Sequence, residues 1–300
     1  MKKIIIFGLM IVTFFGRISL ADEYTFPEIA PELYLWGGYR DIELDGSERA
    51  EEYEYMHDSF AGGGEFYAFP FPHRIHVEGE VLNVNDYFGD VRYAYKDLVL
   101  FRWITRKLYH NLDNITLRDF DSSAATPTVS IRDAGNTYGV KTGLDKYFLR
   151  LKTPDFPLHL YTEARIFHRK GTVQQRFLGG SGYYNDAAGN VDSPERATIS
   201  RDIHWETEDY TIGTNNHLGP IELDIAHTAR KFTPKGDEVL VESYDPAGFP
   251  PGSLRAAGSY EHNRIPELEG YTNTLKAHTS YTGMIVATGT ISHTKRENNN

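Results

Sequence analysis

The sequence predicts an all-β protein: an antiparallel transmembrane β-barrel of the outer-membrane type, represented by the N-terminal portion of a larger barrel. Three observations carry this expectation. Apolar and polar residues alternate with a period of two along many segments, the connections between those segments alternate between short and long, and the chain opens on an export leader.

The leader comes first. Met1-Lys2-Lys3 precedes an apolar run from Ile4 to Phe15, and Ser19-Leu20-Ala21 precedes the acidic Asp22-Glu23. This is the three-part layout of a secretory signal peptide, so residues 1–21 are expected to be removed and 22–300 to form the barrel domain. The run is shorter than the ~20 residues of a spanning helix, and later apolar stretches are interrupted by Gly, Thr, Lys or Glu.

The strands follow from alternation. From Leu158 to His168, Leu, Leu, Ala and Ile occupy one parity while His, Tyr, Glu and Arg occupy the other. A strand places such sets on opposite faces, whereas a helix would scatter them around its circumference. Ile221-Glu222-Leu223-Asp224-Ile225 and Arg74 to Val81 repeat the pattern. Further strands are expected at 33–42, 64–71, 87–96, 98–110, 137–150, 198–213, 271–281 and 284–295, about eleven in all, most near the ~9–11 residues that cross a bilayer at a tilt.

Connections separate a barrel from a soluble sandwich. Tight turns are expected near Pro154, at Asn215 to Pro220 and at Thr282-Gly283, while 111–136, 170–198 and 233–270 are long, polar and rich in Gly, Pro, Asn and Asp. Short turns at one end and long loops at the other suit a barrel with periplasmic turns and extracellular loops. The Lys295-Arg296-Glu297-Asn298-Asn299-Asn300 ending does not resemble a closing strand, and an odd strand count departs from the even numbers of single-chain bacterial barrels, so a longer protein is expected.

Composition narrows the chemistry. The chain has 31 bases, 42 acids and no cysteine. Removal of Lys2, Lys3 and Arg17 with the leader takes the formal charge from −11 to −14, which disfavours nucleic acid as a partner. Without thiols the chain makes no disulfide and attaches no c-type haem. Abundant Tyr (20) and Phe (17) alongside a mean hydropathy of −0.47 fit aromatic girdles and half-polar strands.

No P-loop, dinucleotide-binding glycine fingerprint, G-x-S-x-G or H-E-x-x-H occurs, and no enzymatic activity is expected. His73 and His76 fall on opposite faces of a strand, a poor start for a metal site. Glu78 and Glu80 share a face and read as solvated lumen charges. Asn185 to Asp192 carries oxygen ligands without EF-hand spacing and reads as a plain turn. Strand parity places His76, Glu78, Glu80, His159, Glu163, Arg165, Glu222 and Asp224 toward the lumen, where docking of a partner is the expected role.

Several short motifs together resemble a known family. They are Leu35-Trp36-Gly37-Gly38-Tyr39-Arg40, Glu51-Glu52-Tyr53-Glu54-Tyr55 followed by Gly62-Gly63-Gly64, Tyr109-His110-Asn111-Leu112, Ser259-Tyr260-Glu261-His262-Asn263-Arg264, and Gly270 to Ala277. They resemble the decahaem-associated outer-membrane barrels of the MtrB/PioB family, the porin component of porin–cytochrome conduits. The resemblance implies a barrel that sheathes a multihaem c-type cytochrome in the cell outer membrane, with every haem carried by the partner and no cofactor on the barrel. Some family members carry a Cys-x-x-Cys near the mature N-terminus, which this chain lacks, and family barrels are much longer than 300 residues. A general diffusion porin without protein cargo and a soluble secreted β-sandwich that binds glycans are the alternatives.

Overall fold

A computed structural model describes residues 30–41, 58–112, 129–133, 135–154, 158–179, 195–244, 258–281 and 285–299. Every regular element among them is a strand. The expected leader, 1–21, lies outside the described residues.

The strands are β1 (Glu32–Arg40), β2 (Ser59–Ala68), β3 (His73–Asn83), β4 (Asp86–Tyr95), β5 (Val99–Leu112), β6 (Val129–Ile131), β7 (Tyr138–Lys152), β8 (Leu158–Gly179), β9 (Glu195–Leu218), β10 (Ile221–Pro234), β11 (Leu240–Tyr244), β12 (Gly258–His262), β13 (Leu268–Tyr281) and β14 (Ile285–Asn298). Eleven of them form one antiparallel path, β1-β2-β3-β4-β5-β7-β8-β9-β10-β13-β14, in which each pairs with the next. All eleven expected strands are found there, in order. Among the described residues β1 and β14 do not pair, so the sheet is open and not closed into a barrel.

Register converts alternation into two faces, because residues directly opposite each other across a ladder share a face. One row runs Leu33, Phe66, Val77, Val91, Trp103, Tyr147, Ala164, Tyr210, Ala229, Tyr271, ten strands without a formal charge, and reaches Lys295 on the eleventh. The row one residue away runs Tyr34, Glu65, Glu78, Asp90, Ile104, Lys146, Arg165, Asp209, Arg230, Gly270. The only register irregularity recorded in these ladders, between Val81 and Asn83, lies at the end of β3, so the two faces stay separate.

The turns sort by end. Connections 69–72, 96–98, 153–157, 219–220 and 282–284 lie at one end of the sheet, and 41–58, 113–137, 180–194 and 235–267 lie at the other, where 84–85 is the one tight exception. At 219–220 the chain reverses through Gly219 with φ of 64°, a conformation for which glycine is the natural residue.

The long connections differ from the sequence expectation. At both ends of the segment 170–198 the described residues are strand, since β8 continues to Gly179 and β9 begins at Glu195, paired residue by residue from Leu158↔Asn216 to Gly179↔Glu195. The segment 233–270 carries the β11–β12 hairpin, and 111–136 carries β6. The cause is visible in β9, which outruns β10: their pairing stops at Pro234↔Trp205. The bare edge beyond it is covered by Lys235 and Asp237, whose amides donate to His204 O and Asp202 O at 2.6 and 2.9 Å, and then by β6, which adds in parallel against residues 196–198. The polar composition of these segments hid strands that pair along a long hairpin and not across a buried face.

Among the described residues this end also holds the largest group of buried side chains. Val140, Ile203, Tyr138, Thr198, Asp133 and Arg201 are all buried there. Thr198 and Tyr138 donate to the Asp133 carboxylate, while Arg201 donates through Nε and Nη2 to Asp237 O at 2.9 and 2.7 Å and through Nη1 to Asn263 O at 3.0 Å. Burial pushes the Asp133 carboxyl upward, but hydrogen bonds from Thr198, Tyr138, Gln174 and the backbone together outweigh it and hold the group below the usual aspartate range.

Candidate functional site

The polar face is where the sequence placed partner docking, and the register puts all eight singled-out residues on it. His76, Glu78 and Glu80 come from β3, His159, Glu163 and Arg165 from β8, and Glu222 and Asp224 from β10. Lys152, His159, Asn215 and Asp224 lie in one ladder row, whereas Arg165 shares its row with Glu78 four strands away. The eight therefore form two groups on one face and not a single pocket.

The first group sits on β8 to β10 toward the short-turn end. Asn215 Nδ2 donates to Glu222 at 2.8 Å, and the His159 and His217 rings meet edge to face at 5.4 Å. Tyr161 reaches from β8 across β9 and donates its hydroxyl to Asp224 on β10 at 3.2 Å. Gly213 makes that span possible: a Cβ there would lie 2.4 Å from the Tyr161 ring. Farther along, Lys146 pairs with Glu163 at 2.9 Å and Arg230 with Asp209 at 2.6 Å, while Arg165 is exposed.

The second group sits on β2 to β5. His76 Nε2 lies 3.0 Å from Glu65 Oε1, Tyr67 donates its hydroxyl to Glu65, and the Tyr67 and His76 rings stack at 4.4 Å. Next to them Asp90 accepts from Arg92 (3.0 and 2.6 Å) and from Arg102 (3.0 and 2.6 Å). Glu80 is exposed at the edge of this cluster.

Sequence reasoning missed Glu65, Asp90, Arg92, Arg102, Lys146, Asp209 and Arg230, and placed Tyr161 on this face without its partner Asp224. Parity within β4 would have marked Asp90 and Arg92, because they alternate with Gly89, Val91 and Tyr93. Which strand supplies the partner is set by hairpin register, and that is the information alternation lacks.

A wall of this kind can hydrate a channel, steer charged solutes and dock a complementary surface. Comparison with family models, with characterised proteins and with solved structures finds no match to this chain. No helix among the described residues is long and apolar enough to cross a membrane, which says nothing of spanning by strands.

Proposed function

We propose that this chain forms the wall of an outer-membrane β-barrel that sheathes a multihaem c-type cytochrome, so that electrons cross the membrane along the partner's haems. The observation that carries the reading is the pair of adjacent ladder rows, one apolar across ten strands and the next crowded with carboxylates and cations. Such a sheet is suited to hydrocarbon on one side and water on the other. Strands that pair laterally satisfy the backbone that hydrocarbon would otherwise leave bare.

The cytochrome enters through the resemblance of the short motifs to those of MtrB/PioB barrels and through charge. His76, Glu78, Glu80, His159, Glu163, Arg165, Glu222 and Asp224 are the docking candidates, and an acidic chain attracts a partner with positive patches. Haem belongs to that partner, because this chain has no thiol to attach one. A general diffusion porin is the competing reading, since many polar-face charges satisfy each other, as Asp90 does with Arg92 and Arg102.

The test is purification of the chain from membranes of its native cells in mild detergent. A haem-staining polypeptide retained in constant ratio is the expected result. A barrel that never retains one would leave the porin reading in its place.

A further inference from the structure

Three carboxylates stand side by side on the polar face where three adjacent strands bring Glu65, Glu78 and Asp90 directly opposite one another. Like charges in such positions repel and need compensation. Asp90 receives it from two guanidinium groups, Arg92 and Arg102. Glu65 has His76 and the Tyr67 hydroxyl. Glu78 makes no hydrogen bond or ion pair among the described residues, although it lies beside the other two.

The side chains are placed as a set of ligands would be. Ligand atoms of Glu65, His76 and Glu78 all lie within 4.8 Å of one another. The 3.0 Å between His76 Nε2 and Glu65 Oε1 is close to the ~3.3 Å expected for neighbouring ligands of a tetrahedral ion bound at ~2.0–2.1 Å. Two of the three are also held in place from outside the cluster. Tyr67 stacks on the His76 imidazole with an interplanar angle of 1° and hydrogen-bonds Glu65, the kind of support that orients ligands around a metal. The His76 side chain is only 14% exposed, so its ring is not free to swing into solvent.

From this arrangement we propose a binding site for a divalent first-row transition ion, with Zn²⁺ as the reference case, bridging β2 and β3 through Glu65, His76 and Glu78. An imidazole among the ligands favours such an ion over Ca²⁺ or Mg²⁺, which prefer all-oxygen shells. Binding displaces any proton shared between His76 Nε2 and Glu65, and water completes the coordination. His73, the neighbouring histidine in sequence, takes no part: it points to the other face and meets the Tyr93 hydroxyl at 2.9 Å. The site does not depend on the cytochrome reading, since it needs only the β2–β3 register.

The experiment is isothermal titration of the full chain, refolded in detergent, with ZnCl₂, and a second titration with CaCl₂. One equivalent of Zn²⁺ is expected, with Ca²⁺ at least 10-fold weaker. Glu78→Gln and His76→Gln should each weaken Zn²⁺ at least 10-fold, while His217→Gln, at the His159–His217 pair on the same face, should leave it unchanged. Far-ultraviolet circular dichroism verifies that each variant keeps its sheet, and Glu78→Gln carries the test if His76→Gln does not fold. The proposal is overturned if the unaltered chain binds no stoichiometric Zn²⁺, or if Glu78→Gln binds it as tightly as the unaltered chain.

Discussion

Two regions of this sheet obey opposite burial rules. Where β7, β8 and β9 extend toward the long connections, Val140 is 0% and Ile203 2% exposed, and buried polar groups such as Asp133 and Arg201 have partners. Along the rest of the sheet large apolar side chains stand in the open, with Leu35 at 75%, Ile212 at 66% and Ile291 at 71%. Large apolar side chains exposed together on one face mark a surface for contact with a partner or a membrane. The capped end has a buried core and the open face does not, and the proposed membrane wall is argued from that contrast.

The largest expected effect breaks the open face. Leu223 shares a face with Ile221 and Ile225, while Asp224 points the other way. Ile225→Arg, on the same face and farther from the 219–220 turn than Leu223, should cost up to about 2–4 kcal/mol and impair assembly, whereas Asp224→Asn should assemble normally, as heat-modifiability on gels and abundance in the outer-membrane fraction would show. Equal behaviour of the two variants would remove the distinction between the faces.

The capped end should respond to a different change. Arg201→Met leaves the carbonyls of Asp237 and Asn263 without their donor and should cost about 1–3 kcal/mol, seen as faster amide exchange at Lys235, Asp237 and Arg132 while the strands at the short-turn end keep their protection. Between the two regions, Gly213→Val should push Tyr161 off Asp224 and cost about 1–3 kcal/mol in thermal unfolding.

Acid should loosen the cap. The Asp133 carboxyl is held below its ordinary value, so its contribution is complete above the unfolded value near ~3.9 and fades as pH falls through the lower folded value. Protease cleavage near residues 129–136 should rise in that acid window and lose its pH dependence in Asp133→Asn. The smallest effect belongs to the exposed turn at Asp97, which pairs with Lys152 at 2.5 Å and whose carboxyl this lysine holds below the usual range. Asp97→Asn should change stability by about 0.5 kcal/mol or less.

The two regions also differ in how much the sequence disclosed. Alternation located the eleven main strands and the shared face of Glu78, Arg165 and Asp224, because a half-exposed strand writes its orientation directly into residue order. The cap was invisible to the same rule. Residues 170–198 are rich in Gly, Asn and charge, yet both ends of that stretch pair as a long hairpin whose stability comes from ladder bonds and the β6 strap rather than from an apolar stripe. The Glu65–His76–Glu78 cluster was equally hidden. His76 was compared with His73 along its own strand, while its true neighbours come from β2 through register.

The absence of cysteine makes the most direct measurement simple. Single cysteines placed at Glu222, Leu223, Asp224 and Ile225, spin-labelled in the chain reconstituted into lipid vesicles, report collisions with oxygen, which concentrates in hydrocarbon, and with a water-soluble nickel chelate. Labels at 223 and 225 should be open to oxygen and shielded from nickel, those at 222 and 224 the reverse, so that accessibility alternates with a period of two. Labels at all four positions equally open to nickel would mean that both faces meet water, and the membrane barrel would have to be abandoned.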